Sequence, residues 1–283
     1  MTSQPTPTVL PQGTRIGRTA LRVNNLETVA QFYRDVVGLT VLNQTDRRSI
    51  LGAGDEPLLI LEGDAELPER PKTSAGLFHT AIRVPSRPAL GDALIRLRNQ
   101  WHLSGASDHW VSEALYTRDP EDNGVEIYRD RPREEWPLAD DGRVEIGTVS
   151  LDLDRIEAVG TDNDRVPAET DIGHIHLEVS SLSAFTDCYV ETLGFEVQTE
   201  FPQASFVSAG GYHHHLGANT WQNRTSPISG RGLAWFEIVV PDASTLEALR
   251  KRVAASPFSM METEEGITIT DADGIAIRVG VST

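Results

Sequence analysis

The order strand, helix, three short strands occurs four times along this chain, and that repeat limits the folds open to it more than any other feature. The first copy opens at Thr14 with the strand TRIGRTALRV. A helix follows, NLETVAQFYRDVVGL, capped by Asn25 and apolar at Leu26, Val29, Phe32, Tyr33, Val36 and Val37; the strands LTVLNQTD, RSILGAG and PLLILEG close the unit. The second copy spans 77–130 with its helix at 89–99. The third starts at Ile172, has its helix at 183–193 and ends at Trp221; the fourth runs from GLAWFEIVVP through a helix at 243–255 to GIAIRVGV. Helix ends repeat as well, Gly38-Leu39-Thr40-Val41 against Gly194-Phe195-Glu196-Val197. The expected fold is therefore α+β, with four βαβββ modules paired into curved mixed sheets in two domains. Modules one and two fill 14–130 and modules three and four fill 171–283. A loose tail over 1–13 precedes them, and an acidic, proline-containing linker over 131–170 joins them, with one strand (143–151) and a helical turn.

Composition removes several classes of function. One cysteine, Cys188, rules out a disulfide framework and a cysteine-based zinc finger, and it points to a reducing, cytoplasmic setting. The start of the chain shows no basic region followed by an apolar core, and no run approaches the roughly 20 apolar residues of a membrane span. With 42 acidic against 25 basic side chains the net charge is −17, so a phosphate backbone would be repelled and nucleic acid is not an expected partner.

The chemistry gathers where strand alternation puts histidines on polar faces. In LFHTAIRV, His79, Ala81 and Arg83 share one face against Phe78, Thr80, Ile82 and Val84. The turn DPEDNG feeds a strand that pairs Glu126 with Tyr128 on one face and Val125 with Ile127 on the other. IGHIHLEV repeats the first pattern with His174 and His176. Read as a strand, YHHHL sends His213 and His215 to one side and His214 to the other. Two histidines and one carboxylate with open positions suit non-haem Fe(II), and His79, Glu126 and His174 would supply them.

Three motifs carry a family resemblance: LxVxxLxxxxxFYxxxxG over 21–38, DPxxNGxE over 119–126, and IGHIHLEVSSL over 172–182. The chain resembles the vicinal oxygen chelate superfamily of glyoxalase I, bleomycin-resistance proteins and extradiol dioxygenases. Within it, SEALYTRDPEDNGVEIYRDRPREEW and FVSAGGYHHHLGANTW look like the two-domain bacterial catechol 2,3-dioxygenases. The resemblance implies ferrous iron on His79, Glu126 and His174, with manganese, nickel or zinc as alternatives. It also implies a catechol or substituted catechol and O₂ as substrates, and acid-base roles for His109, Tyr116 and His215, with His215 otherwise a fourth ligand.

One departure from the family bears on the architecture. Extradiol enzymes carry their ligands in modules three and four, but here module four has Trp235 and Ala276 at the ligand positions and module one has Arg18. Only modules two and three together complete a set, within one chain or across a homodimer. His102, His176 and His214 are expected to be structural, although His176 and His213 share faces with the candidates, and Arg18, Arg22 and Arg83 are expected to pair with neighbouring acids. The classes left open are an extradiol dioxygenase, a glyoxalase-like isomerase or lyase, and a metal-free binding protein. The histidine count argues against the last, and Tyr116 with His109 favours the first.

Overall fold

The structure, a computed structural model, describes residues 9–282. Residues 1–8 of the expected tail lie outside the described residues, and its inner end is not loose: Leu10 is buried and its N–H donates to the Gly194 carbonyl at 2.8 Å.

Each module has the anticipated order. Module one consists of β1 (Arg15–Val23), α1 (Leu26–Phe32, continued by a wider turn over Tyr33–Val37), β2 (Thr40–Gln44), β3 (Arg48–Ala53) and β4 (Glu56–Gly63). Module two has β5 (Gly76–Arg83), α2 (Arg87–Gln100), β6 (Gly105–Asp108), β7 (Ser112–Arg118) and β8 (Gly124–Asp130). The linker adds β9 (Val149–Ser150) and α3 (Leu153–Glu157). Module three has β10 (Asp171–Glu178), α4 (Leu182–Phe185, continued over Thr186–Thr192), β11 (Glu196–Phe201), β12 (Ala204–Ser208) and β13 (Leu216–Asn219). Module four has β14 (Gly232–Val240), α5 (Ala243–Ala254), β15 (Ser259–Thr263), β16 (Gly266–Thr270) and β17 (Ala276–Val281). The Asn25 side chain accepts from the Thr28 N–H and so starts α1 as its sequence position implies. Gly38 and Gly194 end their helices at φ +94° and +91°, a left-handed conformation open to glycine at little cost, which explains why the helix ends repeat.

The modules pair crosswise. One sheet runs β2-β3-β4-β1-β14-β17-β16-β15 and joins modules one and four; the other runs β11-β12-β13-β10-β5-β8-β7-β6-β9 and joins modules three and two. Each sheet therefore draws one module from each half of the sequence, with antiparallel seams at β1–β14 and β5–β10. Modules two and three meet within one chain, and one continuous apolar cluster, from Leu10 through Ile127 to Val279, lies behind both sheets.

The linker differs from expectation. Its strand is confined to Val149–Ser150, which pairs with β6, because the chain turns at 139–143 and then lies flat on the Trp110 ring at Gly147. A Cβ at Gly147 would come within 2.2 Å of that ring. Trp136 and Val144 anchor the linker in a small cluster with Val111 and Tyr212, against which Ile146 packs.

Candidate metal centre

The candidate ligands stand on three adjacent strands. His79 is on β5, Glu126 on β8 and His174 on β10, and Ala81 of β5 lies opposite both Glu126 and His174. Alanine matters there, since its methyl group leaves the two longer side chains room to converge over it. His79 Nε2 lies 3.0 Å and His174 Nε2 3.2 Å from Glu126 Oε2, and the two nitrogens are 3.3 Å apart. Donors about 2.1 Å from one ion and about 90° apart are separated by roughly 3.0 Å, so this triangle fits one face of an octahedral site. All three residues are buried, and among the described residues no further His, Cys, Asp or Glu joins the group. Burial pushes the Glu126 carboxyl up, but the His174 and His79 rings outweigh it and hold the group well below the usual carboxylate range. Burial lowers His174 to about 4, which keeps its ring neutral, as a metal ligand must be.

His109 and Tyr116 form a pair at the edge of this set. His109 Nδ1 faces the Gly147 carbonyl at 2.9 Å, and a carbonyl only accepts, so Nδ1 carries the proton. In the neutral ring Nε2 then accepts from the Tyr116 hydroxyl at 2.7 Å. Tyr116 is the direct cross-strand partner of Glu126, and burial together with that carboxylate pushes its hydroxyl well above the ordinary phenol value. The linker thus sets the tautomer of a residue in module two.

The three consecutive histidines correct the sequence reading. His213–His215 do not alternate as a strand, because Gly210 and Gly211 turn the chain at φ +61° and +67° and β13 begins only at Leu216. His214 lines the cavity at the metal set, its ring centroid 4.1 Å from that of His174. His215 does not line it: its Nδ1 accepts from the Ala209 N–H, its ring packs on Tyr212 and Phe195, and burial lowers it to about 3. His215 is therefore neither beside the metal set nor placed for acid-base work. Behind His214, the Nδ1 atoms of His214 and His213 are 2.8 Å apart and His213 Nε2 is 2.8 Å from Asp130. Asp130 also accepts from Tyr212 and from Arg83, and Arg83 in turn holds Asp171. Arg83 and Arg18 pair with acids as anticipated. His176 lines the cavity, but its Nε2 is engaged by the Asn219 amide at 3.0 Å, and His102 is exposed and stacked on Trp101.

The cavity measures about 390 Å³ and is walled by residues the sequence did not single out: Phe78, Val111, Phe206 and, from the linker, Ile146 and Thr148. Trp221 stands at its rim, 44% exposed. In the sister sheet Trp235 pairs with Ala20 as His79 pairs with His176. The register then sets Arg278, not Ala276, at the place of Glu126, and the Arg278 guanidinium lies 3.7 Å over the Trp235 ring.

Comparison with known proteins agrees with this geometry. Residues 15–127 and 171–279 match the Glyoxalase/Bleomycin resistance protein/Dioxygenase superfamily, and the chain belongs to that superfamily. A catechol-2,3-dioxygenase of Bacillus subtilis (strain 168) is 40% identical over 275 residues, covering 93% of this chain and 96% of the relative. Two solved structures share the fold at 14% identity. A candidate dioxygenase from Bacillus subtilis subsp. subtilis str. 168 has a TM-score of 0.67 over 98% of this chain and 86% of its own. Glyoxalase I from Zea mays has a TM-score of 0.59 over 95% and 92%. Among the described residues, no helix is long and apolar enough to cross a membrane.

Proposed function

We propose that this protein is an extradiol dioxygenase, which uses O₂ to open the ring of a catechol or substituted catechol beside its hydroxyls. The observation that carries the reading is the isolated triangle of His79, Glu126 and His174, two imidazoles and one carboxylate 3.0–3.3 Å apart, beside the Tyr116–His109 pair. These donors would hold ferrous iron, which when bound supplies adjacent open positions for the catechol oxygens and O₂. The 40% identity to a catechol-2,3-dioxygenase supports the same choice over an isomerase.

The protein's own side chains then have definite tasks. Tyr116 presents a hydroxyl to the cavity and His109 Nε2 accepts from it, so a substrate hydroxyl donating to the Tyr116 oxygen completes a chain that ends on the Gly147 carbonyl. A proton taken from the substrate can be held at His109 Nε2 and returned by the same route. His214 offers a second imidazole to the cavity, held from behind by His213. Phe78, Val111, Ile146 and Phe206 keep water from the reacting ring.

The test is aerobic assay of the Fe(II)-loaded protein with catechol, following O₂ uptake and the yellow ring-opened product in equimolar amounts. Metal analysis beforehand separates iron from manganese, nickel and zinc, which the same donors can hold. A loaded protein that turns over none of a panel of catechols would return the isomerase reading.

A further inference from the structure

We infer that the preferred substrate is an uncharged catechol carrying an apolar substituent, and that Val111, Ile146 and Phe206 form the wall that receives it. The inference rests on the dioxygenase reading and specifies its substrate class. A dry apolar cavity of about 150 Å³ already accommodates benzene. The present cavity of about 390 Å³ therefore has space beyond the diol ring. Besides the metal set and the other histidines, that space is bounded by Phe78, Val111, Ile146, Phe206 and the rim residues Phe201 and Trp221. The two rim residues are 51% and 44% exposed, an apolar entrance that water alone would not favour.

The decisive feature is charge. Histidines aside, Glu126 is the one formally charged side chain among the described lining residues, and it belongs to the metal set; among the described residues no lysine or arginine lines the cavity. Ser107, Ser112 and Thr148 offer hydroxyls, which can hydrogen-bond a substituent but cannot neutralise a carboxylate. An adjoining pocket that shares Phe78 is lined by Arg70, Lys72, Arg118, Arg224 and Arg231, but it also holds Glu69, Glu121, Asp122 and Glu178, and the Arg70 and Arg224 guanidiniums both pair with Glu178. An ionised substituent would thus be desolvated without a partner, in a protein of net charge −17. An alkyl or aryl group would gain the burial that this wall provides.

The test compares kcat/KM for catechol, 3- and 4-propylcatechol and 3,4-dihydroxybenzoate on the Fe(II)-loaded full chain, with calorimetric binding of the same four compounds in the absence of oxygen. Each buried methylene is worth roughly fourfold, so at least one propyl isomer is expected to exceed catechol by about 10- to 60-fold. The benzoate should fall at least about 100-fold below catechol. Ile146→Arg puts a cation on the wall and should raise the benzoate relative to the propyl compounds. Turnover with the benzoate equal to or better than both propyl isomers overturns the substrate class and leaves the dioxygenase reading standing. The same ranking in binding without any ring-opened product overturns the dioxygenase reading and keeps the ligand class.

Discussion

Asp130→Asn tests the buried network behind His214. The carboxylate accepts from Arg83 Nη1 at 2.9 Å and from the Tyr212 hydroxyl at 2.9 Å, and it faces His213 Nε2 at 2.8 Å. Burial pushes its pKa up, but His213 and Arg83 outweigh that and hold it at about 2, against an ordinary 3.8. At about 1.4 kcal/mol per pH unit, the ionised group contributes about 2 kcal/mol. Because the folded value is the depressed one, that contribution is complete above pH 3.8 and is lost as the pH falls from there towards 2. Asparagine keeps one acceptor oxygen but loses the charge and turns an amide donor towards other donors, so the loss should be at least this large. In a chain of 283 residues about 2 kcal/mol corresponds to a fall of roughly 3 to 5 °C in melting temperature. Urea titrations of both proteins at pH 7, 5 and 3.5 measure it: the gap should be the same at pH 7 and 5 and smaller at pH 3.5. A gap absent at pH 7, or one that widens on acidification, refutes the assignment. The same variant should retain its metal and lose turnover, since His213 would no longer be fixed to hold His214.

Other substitutions separate coordination from proton handling. His79→Ala and Glu126→Ala should each abolish stoichiometric metal, because two donors of three leave an incomplete site; full occupancy in either variant would place the site elsewhere. Wild-type protein should bind a single ion per chain, and a second tight site would contradict the reading of the sister sheet. Tyr116→Phe and His109→Ala should keep the metal and lower kcat by about 10²- to 10⁴-fold, the usual range for a positioned acid-base group. His214→Ala should lower turnover, whereas His215→Ala should chiefly lower the melting temperature; the reverse outcome in the two would restore His215 as the cavity residue.

How far the sequence could be read depended on how regular the backbone was. On β8 and on the stretch of the β5–β10 seam between its two register shifts alternation holds, so His79, Glu126 and His174 could be assigned to one face from the pattern alone, and the pairing of modules two and three followed by excluding the others; Phe78, next to the second shift, is assigned to the opposite face by the same pattern and lines the cavity nonetheless. Reading failed where the backbone leaves that regularity. The left-handed Gly210 and Gly211 rotate the following histidines, and the assignment of His215 in place of His214 fails for that reason. The linker reads from sequence only as a strand over 143–151 and a helical turn, yet Ile146 and Thr148 wall the cavity and the Gly147 carbonyl fixes the His109 proton. Those roles exist only because the Trp136 cluster docks the linker across module two, and docking over such a distance in sequence leaves no local pattern.

The sister sheet shows what confines the chemistry to one site. By register, His174, Ala81, His79 and Glu126 correspond there to Arg18, Glu237, Trp235 and Arg278. Where the metal sheet has a small alanine between two donors, the sister sheet has Glu237, and Arg18 occupies it through Nε and Nη2 at 3.0 and 2.7 Å. This carboxylate already accepts three hydrogen bonds from Arg18, one of them from the backbone N–H, so an ion would have to displace the guanidinium, and Arg278 adds a second positive charge over the neighbouring Trp235 ring. Restoring a ligand set would require replacing both arginines and also Glu237, because freeing its carboxylate without the Arg18 charge would leave it buried and unpaired. Each single step is therefore unfavourable. The two sheets share one architecture while, among the described residues, only modules two and three hold three converging donors, and the candidate site is tied to the crosswise pairing that brings β5 against β10.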